Sequence, residues 1–188
     1  MYYKKILAAA LTVACIGGIV PANSVQAASL KIRYSGKTRY YKGKQLHVSY
    51  ANKNLSSKYV GIQINKVNMI PYYDYLVKQG PKVKRTYSKS SGKLILKNGD
   101  DTLTAYVGKR TYYLNGVKKT FSVAPTKVKY YKTKKTIILI PANAIVKGLG
   151  LNYKYSSSSK RIYITQPVIP SDSTTQVPTQ PSGSVQYT

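Results

Sequence analysis

The sequence predicts an α+β fold, mostly antiparallel sheet packed on short helices, built as two tandem strand-helix-hairpin repeats. Three observations carry this expectation. Asn68-Met69-Ile70-Pro71 and Ile138-Leu139-Ile140-Pro141 each lead into a short apolar segment that reaches a glycine nine residues after the proline, Gly80 and Gly150. Gly36-Lys37-Thr38-Arg39-Tyr40-Tyr41 matches Gly108-Lys109-Arg110-Thr111-Tyr112-Tyr113 at nearly the same offset, roughly 70 residues, the period of a repeated supersecondary unit. Between these landmarks apolar and polar residues alternate with the two-residue period of half-buried strands.

The N-terminus has the order of a secretory signal, residues 1–27. Lys4 and Lys5 precede an apolar run over 6–20, followed by Pro21 and the small-residue site Val25-Gln26-Ala27, with cleavage expected after Ala27. The run is too short for a comfortable membrane span, so no stable span is expected once the signal is removed. Cys15 is the only cysteine and lies inside the signal, which leaves the mature chain without disulfide or thiolate chemistry. Leu11-Thr12-Val13-Ala14-Cys15 offers lipidation at Cys15 as the alternative processing.

Beyond the signal, segments 30–34, 46–50, 59–64, 93–96, 103–107 and 136–140 read as strands, some alternating and some continuously apolar. The helices follow the two prolines. Ala142, Ile145, Val146 and Leu149 fall at i, i+3, i+4 and i+7, with Pro141 placed for the helix start and Gly150 for a left-handed cap. Tyr72, Tyr75 and Leu76 occupy the equivalent face of the first copy, with Gly80 as its cap. Each helix is too short to stand alone and must pack on a sheet. A closing hairpin follows each glycine, over 82–97 and 151–165, with turns at 88–92 and 156–159. Repeat one thus spans about 30–97 and repeat two about 103–166, with Asn98-Gly99-Asp100-Asp101 as the junction; from 167 to 188 the composition becomes a Ser/Thr/Pro-rich tail unable to bury a core.

Thirty-one Lys plus Arg stand against four acids, Asp74, Asp100, Asp101 and Asp172, for a formal charge of +27. Loss of Lys4 and Lys5 with the signal leaves about +25. Few lysines can find an intramolecular partner, so the folded state carries self-repulsion that a polyanion would relieve.

Thr111-Tyr112-Tyr113-Leu114-Asn115-Gly116, then Val123-Ala124-Pro125, the strand over 137–140 into Pro141, the helix closing on Gly148-Leu149-Gly150 and a terminal hairpin resemble the copper amine oxidase N-terminal-like, or stalk, domain family over about residues 30–166. The resemblance implies a sheet wrapped on a helix and a non-catalytic accessory role on the cell envelope. Two features depart from that pattern: the helix reads Ala142-Asn143-Ala144-Ile145-Val146-Lys147 where Arg and Glu are usual, and a tyrosine, Tyr153 or Tyr155, replaces the usual tryptophan.

The family name raises copper, and the residues argue against it. The oxidase chemistry belongs to a separate catalytic domain with three histidine ligands and a modified tyrosine, whereas His47 is the sole histidine here. No transition-metal site of ordinary ligand count can be built from it, and His47 reads as a surface or edge residue. Acid-base catalysis needs paired carboxylates or a carboxylate with histidine. The one adjacent pair, Asp100-Asp101, follows Asn98-Gly99 and reads as turn chemistry. No enzyme activity, catalytic residue, metal or cofactor is expected.

What remains is a surface. Lys127, Lys129, Tyr130, Tyr131, Lys132, Lys134 and Lys135 cluster around an expected turn, and Lys82, Lys84 and Arg85 lie on an expected strand with Lys82, Lys84 and Thr86 sharing one face. Lysine attracts phosphate and tyrosine faces stack on sugars or bases. The expectation is a secreted or envelope-associated module of a Gram-positive-type bacterium that binds an anionic, teichoic-acid-like wall polymer. The alternatives are an extracellular nucleic-acid binder and a purely structural spacer.

Overall fold

Alternation decides most of the architecture, because a strand with one apolar edge must turn that edge toward a core. The computed structural model describes residues 29–168. The expected signal, Cys15 and all but the first two residues of the expected tail therefore lie outside the described residues.

In chain order the elements are β1 (Leu30–Tyr34), β2 (Lys37–Tyr41), β3 (Gln45–Tyr50), β4 (Lys53–Leu55), β5 (Gly61–Ile64), β6 (Val67–Pro71), a π-helical segment (Tyr73–Gln79), β7 (Lys84–Tyr87), β8 (Lys93–Asn98), β9 (Asp101–Tyr106), β10 (Thr111–Leu114), β11 (Val117–Thr120), β12 (Thr126–Tyr130), β13 (Lys135–Pro141), α1 (Ala142–Gly148), β14 (Asn152–Ser156) and β15 (Arg161–Thr165). This is the expected α+β class, mostly sheet. The strands form a large sheet in the order β14-β15-β3-β5-β6-β13-β12-β1-β2, with β4 also on β3, and a five-stranded meander in the order β11-β10-β9-β8-β7. Pairing is antiparallel except where β15 lies parallel to β3.

At the centre of the large sheet β6 and β13 pair antiparallel with Ile70 opposite Ile140. Each strand ends in its proline and passes straight into a helical segment. Ile70 and Ile140 face a core that also holds Leu76, Ile145 and Val146 from the helices and Leu94, Leu96 and Leu103 from the meander. The helices are thus buried between the two sheets. Met69 and Leu139, one residue earlier on each strand, face a second core with Ile32, Ile62, Val128 and Tyr130. The sheet curls over this second core: the Tyr41 hydroxyl on β2 accepts from the Gln63 backbone N–H on β5 at 2.8 Å, and the Tyr130 hydroxyl donates to the Val60 carbonyl at 2.5 Å.

Helix α1 follows the expected pattern. Ala142, Ile145, Val146 and Leu149 are fully buried, and Gly150 adopts φ +69° just past the end. The Leu151 N–H returns to the Val146 carbonyl and the Gly150 N–H to the Lys147 carbonyl, which satisfies carbonyls the helix leaves open. The helical segment after Pro71 differs. Tyr72, Tyr75 and Leu76 are buried as expected, but the backbone widens into a π-helix in which the Gly80 N–H bonds the Tyr75 carbonyl five residues back. Gly80 has φ −79°, so it is not the left-handed cap expected of it; Lys82 at +59° takes the left-handed conformation instead. Glycine is required at 80 because an added Cβ would lie 2.2 Å from the Tyr75 carbonyl oxygen.

The hairpins after the two helical segments also part company. β14–β15 joins the large sheet beside β3, whereas β7–β8 opens the meander. Asn98-Gly99-Asp100-Asp101 forms the tight turn joining β8 to β9 within that one sheet. His47 lies exposed on β3 opposite Arg161 of β15, an interior strand of the sheet rather than an edge.

Candidate functional site

The second core has an outer side, and its composition follows from the same alternation. On β1 Ile32 points inward, which sends Lys31 and Arg33 outward; on β12 Val128 and Tyr130 point inward, which sends Lys127 and Lys129 outward. The pairing of β1 with both β12 and β2 sets these residues in rows. Arg33 lies opposite Lys129 on one side and opposite Thr38 on the other, and Lys31 lies opposite Tyr40. Tyr131 extends the second row, because its backbone N–H bonds the Lys31 carbonyl at 3.1 Å.

Tyr131 is the hub of this face. Lys31 Nζ stands 5.2 Å from its ring centroid and Lys129 Nζ stands 5.4 Å from it, while the phenol oxygen lies 3.0 Å from Thr38 Oγ1 on β2. Lys31 is also 5.4 Å from the ring of Tyr40, which is 58% exposed, so one ammonium is bracketed by two aromatic rings. Each such contact contributes on the order of 0.5–1 kcal/mol at an exposed position and holds the charge in place. The hydrogen bond to Thr38, followed by the charges of Lys129, Arg33 and Lys31, holds the Tyr131 hydroxyl below the ordinary tyrosine range. The three acids among the described residues lie elsewhere: Asp74 accepts from the Ser57 hydroxyl, Asp101 from the Asn115 amide, and Asp100 sits in the turn between β8 and β9. The face is therefore cationic without internal compensation among the described residues.

Of the residues expected to bind, Lys127, Lys129 and Tyr131 belong to this face. Tyr130 does not. It is 2% exposed, and its hydroxyl is committed to Val60, because the strand continues through Tyr130 and turns its side chain into the second core. Lys132 and Lys134 sit exposed in the turn, closed by the Lys134 N–H on the Tyr131 carbonyl, and Lys135 lies opposite Tyr130, on the other side of the sheet from Lys129.

Lys84 and Arg85 lie on β7, an edge strand of the meander, with the Arg85 guanidinium 4.8 Å from the Tyr73 ring. Lys82 precedes that strand rather than sharing its face, and its ammonium donates to the Lys78 carbonyl. Lys31, Arg33, Thr38 and Tyr40 were not singled out from sequence. Alternation along β1 marks Lys31 and Arg33 as outward, but only the pairing with β12 joins them to Lys129.

Elsewhere, a cleft of about 330 Å³ is lined by Lys66, Asn68, Asn143, Tyr153 and Tyr155 together with apolar residues. Asn68 donates to the Tyr153 hydroxyl at 2.8 Å, and the buried Tyr155 hydroxyl has no hydrogen-bond partner among the described residues. No acid or histidine lines the cleft. Among the described residues no group of three His, Cys, Asp or Glu is placed to hold a metal, and no helix is long and apolar enough to cross a membrane.

A family model described as copper amine oxidase N-terminal domain matches residues 50–164. The match begins at the end of β3, so Lys127, Lys129 and Tyr131 fall inside it and the β1–β2 hairpin falls outside. No curated protein and no solved structure matches the chain.

Proposed function

The chain belongs to the copper amine oxidase N-terminal domain family, and from that premise we propose that it is a secreted, non-catalytic envelope module that holds anionic wall polymers of the teichoic-acid type on the outer face of β2, β1 and β12. The single observation that carries this reading is Lys31, bracketed by Tyr40 and Tyr131 beside Arg33 and Lys129. Such a face offers ordered positive charge to phosphate. The N-terminal domain of copper amine oxidases is itself a non-catalytic domain, which supports an accessory role for this one.

The same arrangement weighs against nucleic acid. Base recognition on single strands uses free aromatic faces as stacking platforms. Here lysine ammonium groups stand over the rings of Tyr40 and Tyr131. The tyrosines serve to position charge, which suits a polymer read by its phosphates alone. The two proline-led segments are best understood as copies of one unit: equivalent residues Ile70 and Ile140 lie opposite each other, as an approximate two-fold axis between β6 and β13 would place them.

The test is a pull-down of the signal-free chain with purified Gram-positive walls, before and after chemical removal of their phosphate polymers. Binding is expected to drop sharply after removal, and equal retention in both would sink the polymer reading.

A further inference from the structure

Residues directly opposite in an antiparallel pair sit about 4.5–5.5 Å apart at Cα, and like charges placed there repel. Arg33 on β1 faces Lys129 on β12 in this way. The row continues with a threonine on either side, Thr38 opposite Arg33 and Thr136 opposite Lys129. All four residues are exposed, and the described acids stand at other places in the fold, Asp74 and Asp101 in hydrogen bonds and Asp100 in the β8–β9 turn. Solubility alone is served by cations anywhere on a surface; it gives no reason to set two of them face to face. Lys84 faces Lys97 on the meander in the same way, so the pairing alone does not single out a site; at Arg33 and Lys129 it coincides with Tyr131, which carries Lys31 and Lys129 over its ring and shares a hydrogen bond with Thr38.

We propose that the row Thr38, Arg33, Lys129 and Thr136 is a phosphate subsite, where one phosphate of a polyol-phosphate polymer bridges Arg33 and Lys129 and clamps the β1–β2 hairpin to β12. The proposal rests on the polyanion reading of this face and names the group it takes. Arginine offers paired N–H donors to phosphate oxygens, lysine a point charge, and threonine a neutral donor, so a bound anion turns a repulsive pair into two attractive contacts. Thr38 already shares its hydroxyl with Tyr131, which ties the β2 side of the row to the residue carrying Lys31 and Lys129. Arg33 and Thr38 precede the matched residues 50–164 whereas Lys129 and Thr136 lie within them, so the row joins strands from both sides of that boundary.

The experiment is thermal unfolding of the signal-free chain in sodium chloride and in sodium phosphate at equal ionic strength, with poly(glycerol phosphate) and single-stranded DNA as further titrants. Phosphate is expected to raise Tm beyond matched chloride by binding the native state, and poly(glycerol phosphate) to do so at lower phosphate concentration. Arg33→Thr is expected to raise Tm in chloride by roughly 1–4 °C, since the repulsion is gone, and to lose most of the phosphate increment. Lys118→Thr, on β11 of the other sheet, should keep the full increment. Equal Tm in phosphate and chloride, an unchanged increment in Arg33→Thr, or stronger stabilisation by DNA than by poly(glycerol phosphate) would overturn the subsite. If the increments appear as expected while stripped and intact walls bind equally, the subsite stands and the wall-polymer reading falls.

Discussion

Tyr130 donates its hydroxyl to the Val60 carbonyl from inside the second core, while Tyr131, the next residue, holds its phenol among Lys31, Lys129 and Thr38 at the surface. Burial pushes Tyr130 far above the ordinary tyrosine range and, as the largest influence, pushes Tyr75 up to about 12. Tyr131 is held low, so an alkaline absorbance titration should show one early phenolate, and Tyr131→Phe should delete that step. The buried pair has the opposite consequence for stability. Their folded-state pKa values lie above the unfolded value near 10, so the native state keeps protons that the unfolded chain releases; their contribution is complete below about pH 10 and is lost as pH rises toward 12. Denaturant midpoints measured across that window should fall steadily. Tyr155 supplies a contrasting case. Its buried hydroxyl lacks a partner among the described residues, so Tyr155→Phe should leave stability unchanged or raise it by up to about 1 kcal/mol, whereas Tyr130→Phe, which strips a donor from the part-buried Val60 carbonyl, should cost about 1–2 kcal/mol.

The two proline-led segments share a buried face and differ in how they end. Gly150 is left-handed, and an added Cβ there would meet only the flexible carboxylate of Asp101; Gly80 is not left-handed, and its Cβ would run into the Tyr75 backbone carbonyl. Gly150→Ala should therefore cost about 1–2 kcal/mol through backbone strain. Gly80→Ala should cost more, because the π-helix itself must shift, and urea midpoints of the two variants would reveal the order. The buried faces were legible in the sequence, since Ala142, Ile145, Val146 and Leu149 already fall on one stripe. The widening after Tyr72 was not, because no local pattern distinguishes a five-residue backbone bond from a four-residue one. Likewise the strand over 126–130 alternates openly, yet where it ends decides whether Tyr130 or Tyr131 faces out. That boundary is set by pairing with β1, a strand near the other end of the described chain.

Across the whole molecule, the fold class followed from periodicity, while the candidate face depended on which distant strands meet. Lys31 and Arg33 on one side and Lys127 and Lys129 on the other become one surface only when β1 docks on β12. A face assembled from exposed cations binds through screened attraction, so wall retention should weaken progressively as salt is raised, and Lys31→Gln with Lys129→Gln should flatten that dependence. A spacer without a ligand would show neither effect. The parallel ladder of β15 on β3 joins residues separated by most of the described chain and seats β15 between β14 and β3. Long-range pairings of this kind make folding slow and late. Until Arg161–Thr165 arrives, β3 keeps one ladder edge without its partner, so the last strand of the described chain is also the one that covers it.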